Sequence, residues 1–203
     1  MTGRSTVAGA LVALGAVGLL AGCAGAMSVA QVPATASSTM PPNQNATAGP
    51  TAPAQVEPKG RLLGPFPVAR VVDGDTIRVA TDDGEVRVRL IGIDTPETVS
   101  PNEPVGCFGP EASAQAERLL AGTSVYLELD ASQGDTDRFG RVLAYAWQDE
   151  HTMFNYAMVR DGFATEYTYD APYAYQREFR SAQAGARAAG LGLWSAATCN
   201  GRP

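Results

Sequence analysis

The chain reads as an α+β protein, mainly β, in which five strands with about three interspersed helices make a small Greek-key barrel. Three observations predict this. Apolar and polar residues alternate over residues 76–80 and again over 86–90, the period-two pattern of half-buried strands. Asp83-Gly84 between them is a strong signal for a two-residue hairpin turn. Helix-forming runs closed by glycines alternate with further strand-like runs along the rest of the chain.

In order along the chain, the alternation of the second strand breaks at Leu90-Ile91-Gly92-Ile93, so Gly92 is expected to mark a bulge or bend. Strict alternation would put Asp94 on the face opposite Arg89, so the bend is required if both serve one pocket. Pro110 suits the first turn of a helix over 111–120, with Gly122 as its stop. Strands are expected over 124–130 and 141–147. A second helix over 153–160 stops at Gly162, and Asp170 caps a third that continues through Phe179 to Gly190.

The 203 residues allow one domain of ordinary size plus extra segments. Residues 1–22 have one basic residue, Arg4, then an apolar run over 7–21 that is short for a membrane span, and read as an export signal. The Leu20-Ala21-Gly22-Cys23 ending resembles the bacterial lipobox, which implies lipidation of Cys23 and a lipid-anchored, extracytoplasmic location, with plain secretion as the alternative. Residues 23–60 read as a lipidated cysteine followed by a flexible Ala/Pro/Ser/Thr-rich tether, because 24–56 carry no charge and little bulky apolar surface. Residues 61–203 make the folded domain. In an oxidising compartment Cys107 and Cys199 are expected to bond, a closure worth about 4 kcal/mol on chain entropy; free thiols are the alternative.

The formal net charge is −6. Removing Arg4 and Lys59 from the 15 basic residues and Glu57 from the 21 acidic ones leaves 13 against 20 after Gly60. General attraction to a polyanion is therefore expected to be weak, which sets the chain apart from the usual basic nucleic-acid binder. His151, the only histidine, follows Asp149-Glu150 in a polar turn and reads as solvated, which disfavours histidine-based catalysis.

Two acidic segments carry the chemistry: Asp73-Gly74-Asp75-Thr76, and the stretch from Arg89 through Asp94-Thr95-Pro96-Glu97. Folding the hairpin can bring Asp75 and Asp94 together around a hard, oxygen-seeking cation such as Ca²⁺. Glu97 is close enough to reach a water beside that ion. Arg89 and Arg141 offer planar guanidiniums for bidentate contact with phosphate. Each taken alone has a plain reading: Asp-Gly-Asp as a turn, Asp94 as a strand end, Arg89 as an outer-face residue paired with Glu85. Asp73 is read as a water-mediated ligand or a loop-holding carboxylate.

The strings VDGDT, RLIGIDTPET, FGPEAS, DRFGRVLAY and YTY run in order from Val72 to Tyr169, followed by GLGLW. Together they resemble the thermonuclease family, also called staphylococcal or micrococcal nuclease. The resemblance implies an OB-fold. It implies Ca²⁺ bound at the positions of Asp75, Asp94 and the Thr95 carbonyl, a catalytic trio at Arg89, Glu97 and Arg141, and a nucleotide pocket lined by Arg138, Tyr167 and Tyr169. It implies hydrolysis of DNA and RNA with the 5′-oxygen leaving and 3′-phosphate ends. No protein partner is expected and the chain is read as a monomer. Two departures stand out. Phe139 replaces the family's usual tyrosine, and residues 98–104 lack the lysines that the best-known members carry there. A non-catalytic OB module and a phosphodiesterase acting on small nucleotides remain alternatives.

Overall fold

The computed structural model describes residues 56–98 and 104–202. The signal segment, Cys23, the tether up to residue 55 and residues 99–103 lie outside the described residues. Among the described residues no helix is long and apolar enough to cross a membrane.

The strands are β1 (Leu62–Val71), β2 (Thr76–Thr81), β3 (Gly84–Leu90), β4 (Ile93–Asp94), β5 (Ser124–Glu128), β6 (Val142–Asp149), β7 (Thr152–Met153) and β8 (Thr165–Glu166). The helices are α1 (Gly109–Leu120), α2 (Phe154–Arg160) and α3 (Gln176–Ala189), with a single 3₁₀ turn at Gly192–Trp194. Antiparallel pairing links β3 to β2, β2 to β1, β1 to β5 and β5 to β6. Parallel pairing of β3 with β6, Val88 opposite Val142 and Leu90 opposite Ala144, then closes the ring into a five-stranded barrel. This is an OB-type α+β fold, as the sequence predicts. Closure removes the exposed strand edges.

Alternation puts Ile77, Val79, Val88, Leu90, Val125 and Leu127 inside the barrel, all 5% exposed or less. Fully burying side chains of this size contributes about 1.5–3 kcal/mol each. β6 adds a continuous buried run from Ala144 to Trp147, because α2 packs on it and Phe179 of α3 lies against Tyr145. Phe179 of α3 packs into Tyr145, Tyr173 and Tyr175, and the edge-on Tyr145–Tyr175 pair has ring centroids 4.7 Å apart.

Two buried carboxylates fasten the periphery to this core. Glu128 accepts hydrogen bonds from Trp147 Nε1 and the Tyr175 hydroxyl, both at 2.8 Å, and from the backbone N–H of Lys59 at 3.0 Å. Asp130 accepts from the Tyr145 hydroxyl at 2.7 Å, the Ala174 N–H at 2.8 Å and Ser132. Burial would raise the Asp130 carboxyl, but these bonds outweigh it and hold the group below the usual carboxylate range.

The structure corrects three local expectations and adds one strand. Residues 56–60 belong against the domain rather than to a tether: Val56 is buried, and Lys59 Nζ reaches the Ala174 carbonyl and Glu178. Strand β1 occupies a segment for which the sequence suggested no boundaries. The hairpin tip is Asp82-Asp83, because Thr81 pairs with Gly84 and its hydroxyl donates to the Gly84 carbonyl at 2.8 Å. Helix α3 starts at Gln176 without an Asp170 cap. Pro172 disfavours helical geometry in the residue before it, and the buried Tyr173 and Tyr175 anchor a turn, closed by Gln176 N–H on the Tyr173 carbonyl at 3.2 Å, from which the helix starts. Helices α1 and α2 fall within two residues of their expected limits. Cys107 and Cys199 form a disulfide that joins the loop before α1 to the C-terminal tail.

Candidate active site

The site is built around the bend between β3 and β4. Gly92 sits at φ +81, a left-handed conformation that side chains rarely adopt, and a Cβ there would lie 2.7 Å from the Tyr173 ring. The bend is pinned from behind: Ile91 N–H donates to the Ala144 carbonyl at 3.0 Å, and Asn155 Nδ2 donates to the Ile91 carbonyl at 2.9 Å. Asn155 is fully buried, and its Oδ1 accepts from Ala146 N–H. Sequence reading missed this residue; its only signal was one amide within the apolar run of α2.

The bend does what the sequence required of it. Arg89 Nη2 lies 3.1 Å from Asp94 Oδ1 and 3.3 Å from Asp75 Oδ2. Arg89 Nη1 donates to the Leu90 and Ile93 carbonyls at 3.0 and 2.8 Å. The guanidinium is thus fixed by the bend's own backbone. Its suggested partner Glu85 pairs with Arg78 instead.

Asp75 is clamped from the second acidic segment. Its Oδ2 accepts from Thr95 N–H at 3.1 Å and from the Thr95 hydroxyl at 3.3 Å. Gly74 makes this approach possible, since a Cβ there would fall 2.6 Å from Thr95 Cγ2. Asp73 turns inward, its Oδ1 accepting from Asp75 N–H at 3.1 Å. Burial, then the Asp75 charge, pushes the Asp73 carboxyl up to about 6. Asp94 is the outermost of the three, its side chain 53% exposed. Desolvation and the Asp75 charge nevertheless raise its carboxyl against the opposing pull of Arg89, and Glu97 adds to the rise. Glu97 Oε1 accepts from Thr98 N–H at 2.8 Å.

Arg141 enters from the loop before β6. Asp137 Oδ2 accepts from its Nε at 2.7 Å, Asp137 Oδ1 accepts from its backbone N–H at 2.9 Å, and its Nη1 reaches the Thr76 hydroxyl at 3.4 Å. Burial would raise Asp137, but these bonds and the one from Phe139 N–H lower it. A buffered carboxylate therefore orients Arg141 while leaving its terminal nitrogens at the site. The sequence placed Asp137 in a motif without giving it this role.

Two cavities meet here. The smaller, about 150 Å³, is lined by Asp73, Asp75, Asp94, Thr95, Glu97 and the two arginines. The larger, about 540 Å³, is walled by Arg138, Phe139, Tyr167, Tyr169 and Asp170. Arg89, Asp94 and Arg141 line both. Pairing of β4 with β8 and a bond from Tyr167 N–H to the Gly92 carbonyl at 3.0 Å hang the tyrosine segment on the same bend. Tyr167 and Tyr169 are 42% and 71% exposed, unlike the core Tyr173 and Tyr175. All nine expected site residues of the domain thus gather around the two cavities. His151 stands apart, exposed, 3.2 Å from Glu57.

The small cavity offers oxygen donors and neither thiolate nor imidazole. Its carboxylates crowd until two of them bind protons more tightly than usual, which is the chemistry of a site that fits a hard divalent cation. Among the described residues no group of three or more His, Cys, Asp or Glu side chains is arranged to hold a metal ion; the set in question has two carboxylates and one backbone carbonyl.

The family model described as Staphylococcal nuclease homologue matches residues 87–196. The thermonuclease of Staphylococcus hyicus is 42% identical over 130 residues, covering 64% of this chain and 75% of that protein. The thermonuclease of Staphylococcus intermedius is 41% identical over 127 residues, covering 63% and 74%. Endonuclease YncB of Bacillus subtilis is 34% identical over 128 residues, covering 62% and 59%. With more than half its length matched and the motifs folded into one site, the chain belongs to the staphylococcal nuclease family.

Proposed function

We propose that the chain is a Ca²⁺-dependent nuclease that hydrolyses phosphodiester bonds of DNA and RNA, the 5′-oxygen leaving to give 3′-phosphate ends. The observation that carries this reading is the shared wall of the two cavities, where Arg89, Asp94 and Arg141 separate a carboxylate pocket from an aromatic one. Family membership supports nuclease activity; the metal and the cleavage chemistry are the further step.

Asp75, Asp94 and the Thr95 carbonyl would hold Ca²⁺, which when bound supplies Lewis-acid polarisation and orientation. Glu97 accepts the proton of the attacking water, its carboxylate held by Thr98 N–H. Arg89 and Arg141 meet the phosphoryl oxygens as negative charge builds on them, and both are held in place before substrate arrives. Tyr167, Tyr169 and Arg138 receive the base and the adjoining phosphate, with stacking that tolerates any base. Phe139 contributes an apolar ring beneath the Arg138 and Arg141 guanidiniums, with centroid distances of 4.7 and 5.4 Å. Incubating the full chain with DNA and RNA oligonucleotides in Ca²⁺ or in EDTA tests this. Cleavage of both only with Ca²⁺ supports the reading, and undiminished cleavage in EDTA refutes the metal's role.

We further propose that residues 1–22 are an export signal and that acylated Cys23 anchors the protein to the extracytoplasmic membrane face. Cys23→Ser is expected to abolish partition into detergent and to change processing. An unacylated wild-type protein with a mature N-terminus elsewhere would refute the anchor without touching the nuclease reading.

A further inference from the structure

The outer face of the barrel carries a line of positive charge that neither cavity uses. Arg70 on β1 lies directly opposite Arg78 on β2, and Arg78 directly opposite Arg87 on β3. Neighbouring strands are about 4.8 Å apart, so the three arginines stand in one row roughly 10 Å long. Arg70 and Arg87 are exposed, and the Arg78 side chain is 40% exposed. Like charges set directly opposite one another across a sheet are destabilising. Compensation is thin. Glu85 meets Arg78 at 3.4 Å in an exposed pair, which contributes little, and Arg78 Nε is buried without a hydrogen-bond partner. Asp82 and Asp83 stand off the row, at the hairpin tip. Such a row, in a domain with 13 basic against 20 acidic residues, is explained by an anionic ligand.

Its position says which ligand. Arg87 and Arg89 are two residues apart on β3 and share a face. Arg89 opposes Thr76, the pair next to Arg78–Arg87 on that face. The row therefore begins one pair away from the arginine at the reacting phosphate and runs across β3, β2 and β1. An aromatic cavity that stacks a base requires a base free of its complement.

We propose that Arg87, Arg78 and Arg70 form a track for the phosphate backbone of a single-stranded nucleic acid leaving the active site. The proposal rests on the nuclease reading and deepens it. Charge scarce in the domain as a whole is concentrated along the path of the substrate, so a polymer gains contacts that a dinucleotide cannot reach.

The test compares the full-length wild type with Arg70→Gln/Arg87→Gln, leaving the half-buried Arg78 in place. For a 12-nucleotide single strand, kcat/KM is expected to fall on the order of tenfold, and the slope of log affinity against log salt to shrink by about 1.4, since each phosphate contact on a single strand contributes about 0.7. Hydrolysis of a dinucleotide should stay within twofold and the thermal midpoint should not fall. Arg70→Lys/Arg87→Lys should restore the salt slope. Equal losses on both substrates, or none on either, would overturn the track. Loss of binding to anionic lipid vesicles with unchanged oligonucleotide binding would assign the row to a membrane surface and also overturn it. Oligonucleotide binding in EDTA judges the track by salt slope alone, so a wild type that binds but cleaves neither substrate sinks the nuclease reading separately.

Discussion

The two cavities that share Arg89, Asp94 and Arg141 are assembled in different ways. The carboxylate pocket comes almost entirely from residues 73–98, one hairpin and one bend, and its groups hold one another: Thr95 clamps Asp75, Asp75 steadies the turn at Asp73, and the bend's carbonyls fix Arg89. The aromatic cavity is gathered from residues 132–141 and 167–171, which meet only because β6 pairs with β3 and β8 with β4. Local construction gives a rigid site for charge. Assembly from distant segments gives a roomier wall whose tyrosines stay exposed. On the proposed reading, the pocket would do the chemistry and the cavity would hold the base.

Substitutions should separate the two halves. The largest effect is expected for Glu97→Gln: turnover should drop by about 10² or more with substrate affinity and Ca²⁺ binding nearly unchanged, because an amide cannot take the proton. Steady-state kinetics beside calcium calorimetry would check this, and unchanged turnover would remove Glu97 from the mechanism. Arg141→Lys comes next. A point charge cannot reproduce the fork that bridges Asp137 and the phosphate, so turnover should fall about tenfold or more. Weaker binding at normal turnover would make Arg141 a positioning residue.

On the cavity side, Asp130→Ala leaves the Tyr145 hydroxyl and the Ala174 N–H without their acceptor. Lost stability of about 1–3 kcal/mol is expected by urea titration, with KM raised more than kcat is lowered, because the 171–175 segment loosens. A kcat loss as large as that of Glu97→Gln would contradict the division between the halves. Tyr169→Ala should weaken substrate binding by about 1–3 kcal/mol at near-normal turnover, read from KM on DNA and RNA alike.

The smallest expected effect is a pH dependence. A carboxyl at about 6 in the folded chain, against an ordinary 3.8 unfolded, binds its proton more tightly when folded. In EDTA, Asp73 therefore adds stability as pH falls from about 6 toward 3.8, and takes it away as pH rises through that window. Asp130 and Asp137 act oppositely, since their lowered carboxyls lose stability only on further acidification. Saturating Ca²⁺ should reverse the Asp73 trend by holding the pocket charged. Thermal midpoints measured with EDTA and with Ca²⁺ should diverge above pH 6, and parallel curves would speak against an ion in this pocket.

The same contrast explains what the sequence disclosed. The hairpin of β2 and β3, the bend at Gly92 and the acidic groups of the carboxylate pocket follow from alternation and turn chemistry within 25 residues, whereas β1 did not. The cavity residues Arg138, Tyr167 and Tyr169 were legible only through family resemblance, since nothing in their own spacing says that they meet. Glu128 and Asp130 left no local trace and Asn155 only a lone amide in an apolar run, because their worth lies in partners up to 69 residues away. The third helix was misjudged at its start because a capping aspartate is a local signal, and the burial of Tyr173 and Tyr175 overrode it. The arginine row became visible only once strand register set Arg70, Arg78 and Arg87 side by side.

On the proposed mechanism, the shared wall of the two cavities would cleave the bond to the 5′-oxygen with Ca²⁺ in the carboxylate pocket. End-group analysis by mass spectrometry of single-stranded DNA and RNA cut by the full chain tests it most directly. New 3′-phosphate and 5′-hydroxyl ends with Ca²⁺, and intact substrate in EDTA, are expected. New 5′-phosphate and 3′-hydroxyl ends, or the same cleavage in EDTA, would contradict it.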